Sequence, residues 1–148
     1  MINRLRVRAQ SESGFTLVEL LVVMLILGLL AAIAIPAFFN QRTKAQDAEA
    51  KSTAKTAQTA LETYATDNNG SYANATRASL KNIEPTLSSA STGANAITTL
   101  TVAASGYTIT VTSDSGNTFS IVRATDGSVT YPCSSAGNGG CPTGSDWG

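Results

Sequence analysis

Residues 14–36 read GFTLVELLVVMLILGLLAAIAIP, and the apolar run continues through Ala37, Phe38 and Phe39. From Leu20 to Phe39 there are 20 residues without one charge. As a helix rising about 1.5 Å per residue, that run spans roughly 30 Å, the thickness of a bilayer's hydrocarbon core. Glu19 is the oddity, a carboxylate at the edge of a membrane segment. Between Leu20 and Ile35 there are 12 large apolar side chains. At about 1.5 kcal/mol or more each, their burial contributes on the order of 18 kcal/mol gross. One acid costs about 2.5–3.5 kcal/mol at mid-membrane and less near the edge. The segment therefore inserts despite Glu19, and an acid kept there is a candidate functional group in need of a partner.

Toward the N-terminus, residues 1–14 carry Arg4, Arg6, Arg8 and Glu12. They read as a targeting segment outside the fold. The arginines hold that end in the cytoplasm and leave the C-terminal part outside. The rival reading is an ordinary secretory signal, with residues 20–30 as its apolar region and Ala32, Ile33 and Ala34 as its cleavage site. That rival leaves the Gly14–Phe15 junction, Glu19 and the continuation to Phe39 unexplained.

Gly14, Phe15, Thr16, Leu17, Glu19, Leu20 and Pro36 together closely resemble the N-terminal signature of type IV prepilins. These are the precursors of type IV pilins and of the related pseudopilins, and the chain is most similar to type IVa-like pilins. The resemblance is close over residues 14–40 and holds in outline beyond. It implies that a membrane aspartyl prepilin peptidase cuts between Gly14 and Phe15 and methylates the new amine. It further implies that subunits leave the membrane and pack their N-terminal helices into a filament core, where the stretch from Gly28 to Pro36 can lose helicity. Ser13 stands where many family leaders carry a basic residue, and the leader is longer than the shortest ones.

Residues 15–67 read as one long helix. Pro36 has no N–H, so the carbonyl of Ala32 loses its helical partner and a kink is expected. Beyond Asn40, Ala50, Ala54, Ala57, Leu61 and Tyr64 recur at helical steps and form one apolar stripe. Lys44, Asp47, Lys51 and Lys55 read as a neighbouring polar stripe, with Asp47 and Lys51 as an i,i+4 pair. That stripe is expected to be solvated or to face another subunit, with DNA contact as its rival. Asp67, Asn68, Asn69 and Gly70 stop the helix. They resemble a calcium loop only loosely, lacking the alternating acids and the distal Glu. Residues 71–96 are polar, with a short helix expected over 77–83 before Pro85. N-glycosylation patterns begin at Asn69 and Asn74.

From Ile97 the period becomes two. Strands are expected over 97–103, 107–113, 118–124 and 128–131, separated by turn residues that include Gly106, Gly116 and Gly127. Tyr107, Ile109 and Val111 share one face of the second strand, and Thr108, Thr110 and Thr112 the other. The fold class is α+β: a long N-terminal helix packed on a C-terminal antiparallel sheet. The expected organisation is a cleaved leader (1–14), a membrane or filament-core helix (15–39) and a periplasmic or extracellular domain (40–148).

The tail holds two cysteines, Cys133 and Cys141, around a Ser/Gly-rich stretch. In an exported domain such a pair most simply forms one disulfide. Closing so short a loop contributes about 2.5 kcal/mol on the chain-entropy model. Metal binding is the rival, but two thiols without a histidine make a poor zinc set. The pairing is also similar to the C-terminal disulfide loop of many type IV pilins, which pseudopilins commonly lack.

The 148 residues carry a formal net charge of +0, so no global basic field points to nucleic acid. Past the leader there are 7 basic and 9 acidic residues. The sequence has no histidine, the commonest general base. No Ser/His/Asp set, metal cluster or phosphate loop supports an enzyme, and no cofactor is expected. The leading expectation is a structural subunit of a type IV pilus, with a secretion-system pseudopilin as the alternative and a tethered or secreted enzyme behind both. Its partners would be other copies of itself, the prepilin peptidase, the inner-membrane pilus assembly machinery and the membrane before assembly. DNA or surfaces have no support in the residues. Glu19 would pair with the amine at Phe15 of a neighbour during incorporation and select register.

Overall fold

The structure is a computed structural model that describes residues 14–148. The expected leader, apart from Gly14, lies outside the described residues. The chain divides into two compact units, one ending at Ala37 and the other running Phe38–Gly148.

The first long element is α1 (Leu17–Asp67), 51 residues that continue through Gly28 and Pro36. Its N-terminal half carries apolar side chains on every face, and they are exposed: Leu17, Leu25, Ile33 and Phe38 range from 68% to 74%. Its C-terminal half buries one narrow stripe. Ala50, Ala54, Ala57 and Leu61 are fully buried, joined by Ala60 and Ala65. The helix ends as its residues require. Asn69 (φ 55) and Gly70 (φ 82) adopt the left-handed conformation, and the Gly70 amide donates to the Ala65 carbonyl at 2.7 Å.

A short helix, α2 (Arg77–Ile83), follows, opened by a capping box between Thr76 and Ser79. Leu80 on its inner face is fully buried. Four strands then form an antiparallel meander in the order β1 (Ile97–Val102), β2 (Tyr107–Thr112), β3 (Thr118–Arg123) and β4 (Val129–Thr130). The boundaries fall within two residues of those expected from the alternating pattern. The alternation decides the faces. Tyr107, Ile109, Val111, Phe119 and Ile121 join the alanine stripe in one hydrophobic core. On the opposite face the hydroxyls pair across strands, Thr98 with Thr112 and Thr110 with Ser120.

β1 is an edge strand with a bulge between Ile97 and Thr99. Arg77 covers that irregularity. Its guanidinium donates to the carbonyls of Ile97 at 2.7 Å and Thr98 at 2.9 Å, so two edge acceptors are closed to other chains.

The tail beyond β4 folds back onto the sheet. Cys133 bridges Phe119, and Pro132 bridges Asp146. Trp147 donates from its indole to the Ser120 carbonyl at 3.1 Å and meets Phe119 and Tyr131 edge-on. The ammonium of Lys55 lies 3.7 Å from the Tyr131 ring centroid, a cation–π contact that ties α1 to the tail.

Candidate functional site

In the N-terminal unit, Thr16 immediately precedes α1 and Glu19 lies in its first turn. The Thr16 amide and hydroxyl both donate to Glu19 Oε2, at 3.0 and 2.8 Å, and the Glu19 amide donates to Thr16 Oγ1 at 3.2 Å. This is a reciprocal cap that satisfies amides at the helix start. The acid that looked partnerless in the sequence therefore has a partner in its own chain. The Thr-x-x-Glu spacing was the signal that could have shown it. Gly14 and Phe15 stand next to this cap and are exposed. Gly28 and Pro36 lie farther along the same helix, about 14 and about 26 Å from Glu19 at its rise per residue. A Cβ at Gly28 would meet open space.

In the second unit the sequence reading of the polar stripe needs correcting. Asp47 is fully buried and makes no pair with Lys51. It sits one helical step before Ala50, on the same line as Ala54, Ala57 and Leu61, so the periodicity turns it inward. Its charge had hidden that position. Inside, Oδ1 accepts from the Ser115 hydroxyl, and Oδ2 accepts from Asn117 Nδ2 at 2.9 Å and from the Gly140 amide at 2.7 Å. Burial works against the carboxylate. The hydrogen bonds from Ser115, Gly140, Asn117 and Ser113 outweigh it and hold its pKa below the usual aspartate value. Lys51, one turn on, donates from Nζ to the Gly140 carbonyl. The helix thus grips both the N–H and the C=O of one residue.

Glycine is required there. A Cβ on Gly140 would lie 2.7 Å from the Asp47 Cβ. Gly139 has φ +58, and its Cβ would overlap the Asp47 carboxylate. The gripped residue adjoins Cys141, which is bonded to Cys133 across a Cα–Cα distance of 5.8 Å.

A second polar knot lies farther along α1. Glu62 accepts from the Tyr72 hydroxyl at 2.7 Å and the Tyr107 hydroxyl at 2.9 Å, and Arg123 stands 3.6 Å from it. Burial raises the pKa of both tyrosines, and the Glu62 carboxylate adds to the rise. Neither knot was legible as such, because each joins residues dozens of positions apart.

Comparison with known proteins gives three kinds of relative. A family model described as the prokaryotic N-terminal methylation motif matches residues 10–35. The chain is 33% identical over 133 residues to the fimbrial protein EcpC of Eikenella corrodens, covering 85% of this chain and 84% of that one. It is 45% identical over 51 residues to the type IV major pilin protein PilA of Myxococcus xanthus, covering 34% of this chain and 23% of that one. It is also 41% identical over 58 residues to the type II secretion system core protein G of Aeromonas hydrophila, covering 39% of this chain and 41% of that one. In these last two the match spans less than half of the relative's length. No solved structure matches.

Proposed function

We propose a role for a chain that belongs to the family of type IV pilins and fimbrial proteins. The protein is a structural subunit of a type IV pilus, anchored in the membrane as a precursor and extracellular once assembled. The observation that carries this reading is the N-terminal half of α1. Every large apolar side chain from Phe15 to Phe39 is between 48% and 79% exposed. Surface of this kind needs lipid first and other copies of the same helix afterwards.

In this reading the peptidase cuts between Gly14 and Phe15 and methylates the amine of Phe15. Residues 15–39 then form the filament core and residues 40–148 its surface. Glu19 exchanges its cap for the Phe15 amine of a neighbour, and Gly28 and Pro36 let the helix adjust as it packs. Cys133 and Cys141 close the outward loop, and the inner-membrane assembly machinery receives the processed subunit. The alternative, a secretion-system pseudopilin, draws on the protein G relatives. Their match is confined to 58 to 61 residues, whereas the fimbrial relative aligns over most of both chains, which favours the pilus.

The test is mass spectrometry of filaments sheared from cells. The expected result is an abundant chain of residues 15–148 with an N-methylated Phe15. A chain beginning at Ile35, or absence of this protein from long filaments, overturns the reading.

A further inference from the structure

Cys133 and Cys141 are held by different parts of the domain. Cys133 belongs to the sheet: it bridges Phe119, and beside it the Ser134 amide donates to the Thr118 carbonyl at 3.0 Å while the Thr118 amide donates to the Ser134 hydroxyl at 2.8 Å. Cys141 belongs to the helix through its neighbour Gly140, whose N–H is held by Asp47 and whose C=O is held by Lys51. Asp47 also holds Ser115 and Asn117, in the turn that joins β2 to β3. The intervening loop has its own turns, Asn138 to Ser135 at 2.9 Å and Cys141 to Asn138 at 3.1 Å, but these leave its placement on the helix to the grip on Gly140.

We infer that Asp47, supported by Lys51, is a positioning residue for oxidation of the Cys133–Cys141 pair, so that the disulfide closes more favourably on a domain whose helix has already docked on its sheet. Closure and grip are thermodynamically linked. Closing the disulfide confines the loop and thereby strengthens the grip on Gly140. By reciprocity, the grip favours closure to the same extent. Without it the loop keeps only its own turns and the Asn117 to Asn138 contact, and the two thiols meet at a lower effective concentration.

The chemistry needs a disulfide oxidant. One cysteine thiolate attacks glutathione disulfide and displaces one glutathione. The second thiolate then attacks the protein sulfur of the mixed disulfide and displaces the other. Two electrons and two protons pass from the cysteine pair to the oxidant, which leaves as two thiols. Asp47 takes no part in these bonds. It sets where one sulfur waits for the other.

The experiment equilibrates the full-length chain, in detergent micelles, over a series of glutathione to glutathione disulfide ratios. Oxidised and reduced protein are then separated by the mass of a thiol-reactive polymer tag. Hydrogen bonds to a charged group are the stronger class, so Asp47→Asn should lower the thiol–disulfide equilibrium constant by about tenfold or more, each tenfold being about 30 mV. Lys51→Met should lower it by about threefold to tenfold. Leu61→Ala loosens the core without touching the loop and should leave the constant unchanged in folded protein. Thermal unfolding followed by circular dichroism reports folding in each case. Should Asp47→Asn fail to fold, Lys51→Met decides alone. Constants within twofold of wild type for Asp47→Asn and Lys51→Met overturn the inference. So does a fall in Leu61→Ala equal to that in Asp47→Asn, since the effect would then belong to general stability.

Discussion

Replacing Leu61 with alanine tests how the domain holds together. The buried stripe of α1 consists of alanines and Asp47 apart from this one leucine, and Leu61 is 0% exposed. Alanine neighbours have no spare length to swing into a vacancy, and Phe119, Ile109 and Ile121 across the core are themselves fully buried. The cavity should therefore stay open. Leu→Ala in such a setting costs about 2–5 kcal/mol, and a site that cannot collapse belongs in the middle of that range or above, about 3–4 kcal/mol. For a domain of roughly 110 residues, about 4–6 °C is lost per kcal/mol, which gives a fall of about 12–24 °C in Tm. Membrane insertion and leader removal should be untouched, because Leu61 lies beyond the apolar run. The assay is thermal unfolding of the full-length protein in detergent, followed by circular dichroism. A loss below about 4 °C would show that the helix and sheet do not pack on each other at Leu61, and the account of the core would fall with it.

Three further outcomes follow from the same contacts. Ala54→Leu, which adds bulk at a fully buried position of the core, should cost about 1–3 kcal/mol, measured by urea unfolding. Glu19→Ala should leave membrane abundance, cleavage and domain stability unchanged while filament yield falls sharply, with Glu19→Asp intermediate. Normal yield of sheared filaments at equal membrane abundance would refute its assembly role. Stability should also fall at both ends of the pH scale. The Tyr107 and Tyr72 pKa values are raised by burial, so their contribution is complete below about pH 10 and is lost above it, and Tyr107→Phe should blunt that loss in denaturant titrations. The Asp47 pKa is lowered, so its contribution is present above about pH 3.8 and is lost as pH falls further, a loss that Asp47→Asn should lack.

Local pattern made much of this fold readable. The strands announced themselves because Tyr107, Ile109 and Val111 alternate with threonines, and the register then followed from turns only a few residues long. The helix stop at Asn69 and Gly70 was visible for the same reason, since left-handed backbone favours those residue types. What stayed hidden was polar and long-range. Asp47 reads as surface by composition and as core by position, and periodicity proved the stronger guide. Its partners lie at 115, 117 and 140, and nothing in one dimension brings them together. Arg77 likewise covers an edge strand far along the chain, a task that the sequence does not spell out because it depends on the bulge in β1. Thr16 and Glu19 are the opposite case, a local capping motif whose two residues lie three positions apart.

The two acids of α1 show how one helix divides its work. Glu19 is capped by a single exposed residue, through contacts that water or another chain can replace at little cost, so its carboxylate remains transferable. Asp47 is enclosed by donors from the β2–β3 turn and the disulfide loop, and removing it leaves one buried and two half-buried donors unpaired. Around each acid the side chains follow the same division. Large leucines, valines and isoleucines surround Glu19 and stay uncovered, ready for lipid and for copies of the same helix. Alanines follow Asp47 and let a small sheet come close enough to make a core. A charge change at residue 19 should therefore register in assembly with the fold intact. A charge change at residue 47 should register in the tail and its disulfide with the anchor intact. The same substitution, acid to amide, thus separates the two functions of a single continuous helix.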